Sequence, residues 1–538
     1  MLSTLRDLGL RAITNPGALI AIALVWALGV VRYVWWRVFS HQERIPETLP
    51  WAGAPTGGAI ARGKAAMRSF LGLRQMLLDG YSQYSKNGES FVLPNLVNGH
   101  EVILPTTCMS WLLEQPESVL SQFETNRQFM CGDYTTLGLL GNGWSRVNDR
   151  AKREMSQGID GFVDAMVDET QDSLRSLLGN NTQAWHEVVL YDVMLEAMGR
   201  VVGRVLVGLP LCRNPGYVQA STNFSKYVLL PAMFIELLPS FLKPILGPVV
   251  TFWDKVQYWR IKSWVAPMFE GRLWGEKFDK SHHDHSALTP GDYIQWVIRD
   301  ALRHGEDPND PHHKVTNMKR LAIITFTAVQ SSAITITNAI FDIAAHPDSI
   351  AVQEELRSEV TTAQGSWERA ALSHLSKLDS ALTETLRLGG ILTHGVTKTV
   401  VAPDGITIPT GEHVPHGGKV GIASYGPHLD EDFYGTEEAS ASVYDPFRFT
   451  RPQLASKRRQ TSSPGLGFVT TSEHYMGFSH GRSACPGRFF ANSLLKIVLG
   501  HILLHYDIAP MEKRPTNPWL NNTMGPPVGA RIKVRRRR

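Results

Sequence analysis

Long segments of helical periodicity dominate the pattern of apolar and polar positions along the chain. The pattern predicts helices at His186 to Leu209, Tyr293 to Arg303, Val315 to Ala345 and Ile350 to Val360. Short strands are predicted at Phe91 to Leu96 and Glu101 to Leu104 around Asn98-Gly99, and at Val396 to Val401 and Ile406 to Ile408 around Asp404-Gly405. We therefore expect a mainly α domain with a smaller β region packed in one piece.

The N-terminal region carries an apolar run without charge, from Gly17 to Val31, followed by Arg32 and the Trp35-Trp36 pair. A spanning helix needs about 20 mostly apolar residues, a length reached when Arg32 extends to the interface and the tryptophans lie there. A cleaved signal peptide is the competing interpretation, but no small-residue cleavage site follows the run. We predict a short lumenal terminus at residues 1–16, a transmembrane anchor at 17–38, a Pro/Gly-rich linker at 39–63 and one globular domain at 64–538.

A second stretch without charge, Leu321 to Phe341, is too rich in polar side chains for a helix that faces lipid. Thr327, Ser331, Thr335 and Asn338 follow one another at spacings of four, four and three, so they share one helix face. The stretch therefore predicts a buried central helix. Its hydroxyls either carry water in a cavity or bond to the carbonyl four residues earlier, as Ser and Thr often do in helices.

Composition and charge narrow the classes of partner. The formal net charge of +4 equals the four arginines from Arg535 to Arg538, so the rest of the 538-residue chain is balanced and gives no sign of nucleic-acid binding. The four cysteines lack C-x-x-C pairing or zinc spacing, and so few in so long a chain indicate a reducing compartment. We expect a cytosolic domain.

Cys485 stands in the run F-S-H-G-R-S-A-C-P-G-R-F-F, which extends from Phe478 to Phe490. Gly481 and Gly487 permit backbone turns that a side chain would obstruct, and the arginines on either side of the cysteine favour an anionic sulfur. An isolated cysteine is usually a small buried apolar residue. The glycines and arginines around this one favour a ligand instead.

This run resembles the haem-binding loop of the cytochrome P-450 superfamily, F-x-x-G-x-R-x-C-x-G. Ser483 stands at the consensus arginine and an arginine stands one place earlier, a variant that looks like the loop of fungal members. The resemblance implies that Cys485 is the axial thiolate ligand of the iron of haem b. It also implies haem contacts from Phe478, Gly481, Arg482 and Gly487.

F-T-A-V-Q-S-S, at Phe326 to Ser332, resembles the oxygen-binding helix of that family, usually A-G-x-D/E-T-T. By this resemblance Ala328 contacts the haem, Gln330 replaces the acid and Ser331 replaces the threonine. Because glutamine has no proton to donate at neutral pH, proton delivery is expected to pass through Ser331 and ordered water. Ser331 and Gln330 are therefore the candidate catalytic residues.

Two further strings resemble the E-x-x-R helix of the family and the arginine motif that follows it. They are L-T-E-T-L-R-L around Glu384 and Arg387, and Y-D-P-F-R-F at Tyr444 to Phe449. The spacing of three residues alone would indicate only a surface ion pair. The resemblance implies a triad of Glu384, Arg387 and Arg448 behind the haem loop, with a role in folding and haem retention.

Two assignments stay open in the sequence. The cation that binds a haem propionate is either His394 or Lys398. Tyr227 to Trp253 is strongly apolar but interrupted by four prolines, which disfavours a membrane span. This segment is either a buried helix pair or, by resemblance, the region between the sixth and seventh family helices that caps the substrate entrance and dips into lipid.

The resemblance implies a mainly α cytochrome P-450 fold with a smaller β region and a single N-terminal anchor in the endoplasmic reticulum membrane. The implied activity is a monooxygenation in which one atom of O2 enters an apolar small molecule, of terpenoid, alkaloid or polyketide type, in a fungal secondary-metabolite pathway. Since the sequence shows no flavin domain or dinucleotide fingerprint, the implied electron donor is a separate NADPH-cytochrome reductase, and we expect a monomer. The alternatives are a haem-thiolate isomerase, dehydratase or peroxide-using enzyme, and a haem-binding sensor without turnover.

Overall fold

The computed structural model describes residues 45–54, 58–139, 158–279, 292–363, 367–391, 394–451 and 467–538. The predicted lumenal terminus at 1–16 and the predicted transmembrane anchor at 17–38 lie outside these ranges, as does part of the linker at 39–63. Within the described ranges the chain folds into helices with a smaller β region, as the periodicity predicts.

Helices make up most of the described chain. In chain order they are α1 (Ala59–Gln83), α2 (Met109–Glu114), α3 (Gln122–Phe129), α4 (Val163–Leu178), α5 (Leu190–Leu206), α6 (Pro215–Tyr227), α7 (Leu229–Glu236), α8 (Lys243–Val250), α9 (Phe252–Asp279), α10 (Tyr293–Arg303), α11 (Pro311–Ala344), α12 (Ser349–Thr362), α13 (Arg369–His374), α14 (Ser376–Leu388), α15 (Tyr425–His428), α16 (Glu431–Tyr434) and α17 (Arg488–His505). The predicted helix at Tyr293 to Arg303 is confirmed at both ends. Those predicted at Val315 to Ala345 and Ile350 to Val360 are confirmed with small shifts of their ends.

The strands form one mixed sheet and several smaller antiparallel ones. They are β1 (Phe91–Leu93), β2 (Glu101–Ile103), β3 (Leu120–Ser121), β4 (His186–Val189), β5 (His394–Val400), β6 (Ile406–Thr407), β7 (His413–Val414), β8 (Lys419–Ala423), β9 (Tyr506–Ile508), β10 (Trp519–Leu520), β11 (Thr523–Met524) and β12 (Arg531–Arg536). The mixed sheet has the order β1-β2-β8-β5-β3, and β2 and β8 are parallel within it. The smaller sheets are β4-β12-β9, β6-β7 and β10-β11.

The strand predictions are partly confirmed. β1 and β2 pair antiparallel as predicted, with Val92 opposite Val102 and Gly99 at a φ of +79° in the connection. Strands are also present at both places of the second predicted segment, but they belong to different sheets: β5 joins the mixed sheet between β8 and β3, while β6 pairs with β7. The start of the helix predicted from His186 is wrong: residues His186–Val189 form β4, since β12 from the far end of the chain supplies their hydrogen-bond partners.

Two apolar cores hold these elements together. In the larger core α5 packs against α4 and α11, and α17 packs against both α4 and α11. The smaller core lies between the mixed sheet and α1. The mixed sheet and the helical bundle thereby bring β5, α11 and the N-terminus of α17 around one interior space, where the candidate site is found.

The central helix α11 begins at Pro311, and its cap is Asp310, whose carboxylate accepts the backbone N–H groups of His312 and His313. Among the described residues, α11 is the helix long and apolar enough to cross a membrane. However, 78% of its most apolar window is buried inside the protein. The prediction of a buried central helix is confirmed.

Helix α1 approaches β1 closely at Gly80. A Cβ atom at Gly80 would lie 2.3 Å from Cε2 of Phe91, whose side chain is fully buried. On the same helix, a Cβ atom at Gly72 would have no neighbour within 4 Å. Gly80 is therefore needed for packing, whereas Gly72 is not.

We expect Gly80→Ala to lower the free energy of unfolding by about 1–3 kcal/mol, because the new methyl group overpacks the Phe91 ring. Gly72→Ala is the matched control, and it should raise the free energy of unfolding by about 0.5–1 kcal/mol through helix propensity. Thermal unfolding of the two variants measures the difference. Equal melting temperatures for both would contradict the packing argument.

Candidate active site

Backbone hydrogen bonds hold the loop that carries Cys485. The Cys485 N–H donates to the Phe478 carbonyl oxygen at 2.8 Å, and the Ser483 N–H donates to the His480 carbonyl oxygen at 3.1 Å. Helix α17 begins three residues after the cysteine, so a helix N-terminus, which favours negative charge, follows the thiol closely. The Cys485 side chain is exposed and lines an interior cavity.

Gly481 is required in this loop for two independent reasons. Its φ of +59° lies in the left-handed region that favours glycine. A Cβ atom there would also lie 2.5 Å from Cδ1 of Leu113 in α2. The nearby Ser479 has a φ of +62°, and its hydroxyl donates to the Gly395 carbonyl oxygen at 2.6 Å, which ties the loop to β5. These contacts set the position of the cysteine relative to the sheet.

The cavity in front of Cys485 has a volume of about 400 Å³, within the range of about 300–1,000 Å³ typical of small-molecule sites. Its walls come from the cysteine loop, α3, α11, β5, β8 and the β10–β11 hairpin. Apolar side chains line the part of the cavity around the cysteine loop; among them are Leu386, Ile391, Met476, Phe478 and Leu495. The other cysteines, Cys108, Cys131 and Cys212, are buried and do not line it.

The residues present fit the haem that the resemblance implies. An exposed thiol opens onto an apolar cavity, which is the combination that an axial sulfur ligand and an apolar macrocycle require. Phe478 lines the cavity, whereas Gly481, Arg482 and Gly487 are not among its lining residues, and the Arg482 side chain is exposed. Haem contacts from these three residues stay predictions.

The choice of a propionate-binding cation stays open. The Lys398 ammonium is buried and donates to the Gln115 carbonyl oxygen at 3.2 Å. Burial lowers the pKa of Lys398, and the positive charge of Arg482 adds to this effect, which places the two cations in one region. The side chain of His394 lies outside the described structure, and a propionate contact from either residue stays a prediction.

Hydroxyl groups of α11 face the cavity, and their own hydrogens bond within the helix. Ser331 and Thr335 line the cavity, and their hydroxyls donate to the carbonyl oxygens four residues earlier, at 2.7 Å for Ser331 and 2.9 Å for Thr335. Of the two interpretations left open in the sequence, bonding to the helix carbonyls is confirmed, and a role in carrying water stays a prediction. A hydroxyl bonded in this way keeps its oxygen lone pairs available to accept from water.

Gln330 and Ala328 are not among the residues that line the cavity. The Gln330 amide donates from Nε2 to the Tyr191 hydroxyl of α5 at 2.7 Å. Burial raises the pKa of Tyr191 to about 12, so the hydroxyl stays protonated at neutral pH. Tyr191 carries no sequence signal that would have identified it, because it occupies an ordinary core position of an amphipathic helix. A catalytic role for Gln330 stays a prediction, as does a haem contact for Ala328.

A buried ion cluster lies behind the cysteine loop. Both Glu384 carboxylate oxygens accept from Arg387 at 2.7 Å, and Oε1 also accepts from Nε of Arg448 at 2.8 Å. None of the three side chains is exposed to solvent. Burial opposes the charge of Arg387, but Glu384 outweighs it, so the pKa of Arg387 is raised. The predicted triad is therefore assembled, and its role in haem retention stays a prediction.

The remaining donors of the two arginines bind backbone carbonyls of the segment between residues 428 and 443. Arg387 donates to the carbonyl oxygens of His428 and Ala441. Arg448 donates to those of Tyr434, Ala439, Ser440 and Val443. The cluster therefore fastens a mostly irregular segment, in which α16 is one short helix, by binding carbonyl groups on either side of it.

His428 connects this cluster to the cysteine loop, although no motif around it indicates a role. Its Nε2 accepts the Met476 N–H at 2.9 Å, so Nδ1 carries the proton and donates to the Arg387 carbonyl oxygen at 3.1 Å. The side chain is buried and lines the cavity. His428 therefore positions the segment that leads into the cysteine loop.

Comparison with known proteins agrees with this geometry. The family model described as Cytochrome P450 matches residues 120–534. Cytochrome P450 monooxygenase pbrC of Penicillium brasilianum is 28% identical over 92% of both chains. Cytochrome P450 monooxygenase polB of Polytolypa hystricis is 29% identical over 94% of this chain and 96% of its own. Cytochrome P450 monooxygenase 151 of Postia placenta is 32% identical over 72% of this chain and 74% of its own.

We expect Arg448→Met to lower the free energy of unfolding by about 3–5 kcal/mol, because it leaves the buried Glu384 with one cation fewer and several carbonyls without donors. Arg531→Met is the control, since Arg531 pairs with Glu187 at 3.3 Å in a solvent-exposed ion pair, and its loss should cost less than about 1 kcal/mol. Chemical unfolding, with haem content measured after gel filtration, tests both. Similar losses in the two variants would show that burial of the cluster adds nothing.

Proposed function

The chain belongs to the cytochrome P450 family, and on that basis we propose that it is a haem-thiolate monooxygenase whose axial ligand is the Cys485 sulfur. The observation that carries this assignment is the exposed Cys485 thiol on the wall of an apolar cavity. The Ser331 and Thr335 hydroxyls of α11 line the same cavity. The proposed sulfur ligand and two hydroxyl oxygens that can accept from water thereby open onto one space.

Haem bound at Cys485 supplies the activation of O2, and electron donation by the thiolate favours cleavage of the O–O bond. The residues of the chain do the rest. Loop hydrogen bonds and Gly481 hold the sulfur in place, and apolar side chains limit the access of water. The Ser331 oxygen accepts a hydrogen bond from water while its own hydrogen bonds to the Thr327 carbonyl oxygen. Gln330, bonded to Tyr191, holds this turn of α11 against α5.

The substrate that we propose is an apolar small molecule of a fungal secondary-metabolite pathway. The relatives are named as monooxygenases, and the apolar wall around the cysteine loop favours a carbon skeleton with few polar groups. Electrons come from an NADPH-cytochrome reductase that docks on the side of the cysteine loop, where the exposed Arg482 contributes positive charge. The proposed location is the endoplasmic reticulum membrane, with the anchor at 17–38 and the catalytic domain in the cytosol.

A group of exposed apolar side chains on α7, α8, α9 and the connection between α7 and α8 supports contact with the membrane. We call it the entrance surface, and it consists of Phe234, Phe241, Ile245, Val249 and Trp253, which are 61–73% exposed. A buried helix pair, one of the two interpretations open in the sequence, is therefore wrong for these positions. Such a concentration of exposed apolar side chains is uncommon on a surface that faces water alone, and we propose that it enters lipid.

The ligand assignment predicts the spectrum of a Cys485→Ser variant. The reduced carbon monoxide complex of the native protein should give the absorption band of a thiolate-ligated haem, and the variant should lose it because its oxygen cannot replace the sulfur donor. Cys108→Ser, at a buried position outside the cavity, should keep the band. A thiolate band in Cys485→Ser would remove the basis of the proposed function.

The membrane orientation predicts the environment of a probe at Val249. We expect Val249→Cys, labelled with an environment-sensitive fluorophore in the full chain on phospholipid vesicles, to be quenched by brominated lipid. Glu437→Cys is the control, because Glu437 is exposed on the segment that folds over the Glu384 cluster and should stay in water. Equal quenching at the two positions would argue against insertion of the entrance surface.

A further inference from the structure

The end of the cavity away from the cysteine loop is lined by charged and amide side chains. Glu101 begins β2 and Lys419 begins β8, and the two residues are direct partners in the parallel pairing of these strands. Both line the cavity although they are only 3% and 8% exposed. Charges are costly to bury, so a charged pair at the wall of an apolar cavity indicates recognition of a ligand.

Neighbouring hydrogen bonds hold this polar wall in place. The Lys419 ammonium donates to the Asn98 carbonyl oxygen at 2.6 Å. The Asn98 amide donates to Oδ1 of Asn522, at the tip of the β10–β11 hairpin, at 3.4 Å. Asn98 and Asn522 also line the cavity. The wall is thus built from three separate parts of the chain.

Strand β5 gives the distance between the polar wall and the cysteine loop. Gly395 accepts from Ser479 of the loop at one end of β5, and Thr399 lies opposite Lys419 at the other. Four residues of extended strand span about 13 Å. A polar group bound at the wall therefore lies roughly 13 Å from the loop that would hold the haem.

We infer, given the proposed function, that the substrate is a polycyclic or long apolar skeleton that already carries a neutral hydroxyl group, which binds Glu101 and Lys419. A hydroxyl both donates and accepts, so it can donate to the Glu101 carboxylate and accept from the Lys419 ammonium. A carboxylate at the same place accepts from Lys419, but it is repelled by Glu101 and has no hydrogen to donate to it, so it satisfies only one of the two groups. A hydrocarbon displaces water from the wall without replacing its hydrogen bonds.

This assignment places the enzyme within a reaction sequence. The hydroxyl that it recognises must be installed before the substrate reaches this cavity, either by an earlier oxidation or by a cyclisation that ends in capture of water. The second oxygen then enters at a carbon remote from the first, because the polar wall holds the existing hydroxyl away from the cysteine loop.

The test compares three diterpenoids that differ at one carbon: dehydroabietane, its alcohol dehydroabietinol and dehydroabietic acid. Dissociation constants for the haem-loaded full chain are measured by equilibrium dialysis. We expect the alcohol to bind at least about tenfold tighter than either the hydrocarbon or the acid, from hydrogen bonds to charged partners. Equal binding of alcohol and hydrocarbon, or a preference for the acid, would overturn the inference.

Substitutions at the wall locate the effect. Lys419→Met and Glu101→Gln should each reduce the advantage of the alcohol to less than about threefold while the affinity for dehydroabietane stays unchanged. Lys513→Met, at an exposed lysine outside the cavity, should leave all three constants unchanged. If the wall variants do not fold, the comparison on the native protein decides. If the reduced carbon monoxide complex of the native protein shows no thiolate band, the proposed function itself is refuted. The binding comparison tests only the inference about the substrate.

Discussion

The site depends most on the interaction of the buried Glu384 carboxylate with Arg387 and Arg448. Taking one anion and two guanidinium groups out of water is costly, and the cost is offset only when almost every donor and acceptor is satisfied. Here both carboxylate oxygens accept from arginine, and the remaining guanidinium donors bind carbonyl groups of residues 428–443. That irregular segment gains through the cluster the hydrogen bonds that a helix or a sheet would otherwise provide.

The same cluster also helps to position the cysteine loop, and it acts through His428 and Met476. Arg387 offers its backbone carbonyl to His428, and His428 accepts the N–H of Met476, two residues before Phe478. From there the Phe478 carbonyl oxygen receives the N–H of Cys485. Hydrogen bonds and a short piece of backbone thus connect the buried charge cluster to the N–H group of Cys485. This explains how an exposed cysteine keeps a defined position without a direct side-chain bond of its own.

Some parts of the site could be predicted from the sequence. They are the residues whose partners are close in the chain, or those that belong to a recognisable motif. The loop around Cys485 and the pair Glu384 and Arg387 are local, so their spacing was informative. His428 and Tyr191 act through single hydrogen bonds to distant elements, and an isolated His or Tyr carries no pattern. The strand His186–Val189 was missed for the same reason, because its partner β12 lies more than three hundred residues away.

The polar wall of the cavity is a further part of the site that could not be predicted from the sequence. Glu101 and Lys419 become neighbours only through the parallel pairing of β2 and β8, which periodicity cannot predict. Once the pairing is known, the different roles proposed for the two walls of the cavity follow from their chemistry. The apolar wall near the sulfur binds without preference for one orientation, whereas a donor and an acceptor held side by side orient a single functional group. In the proposed assignment, the choice of the carbon that is oxidised depends on β5, the strand that separates the polar wall from the cysteine loop.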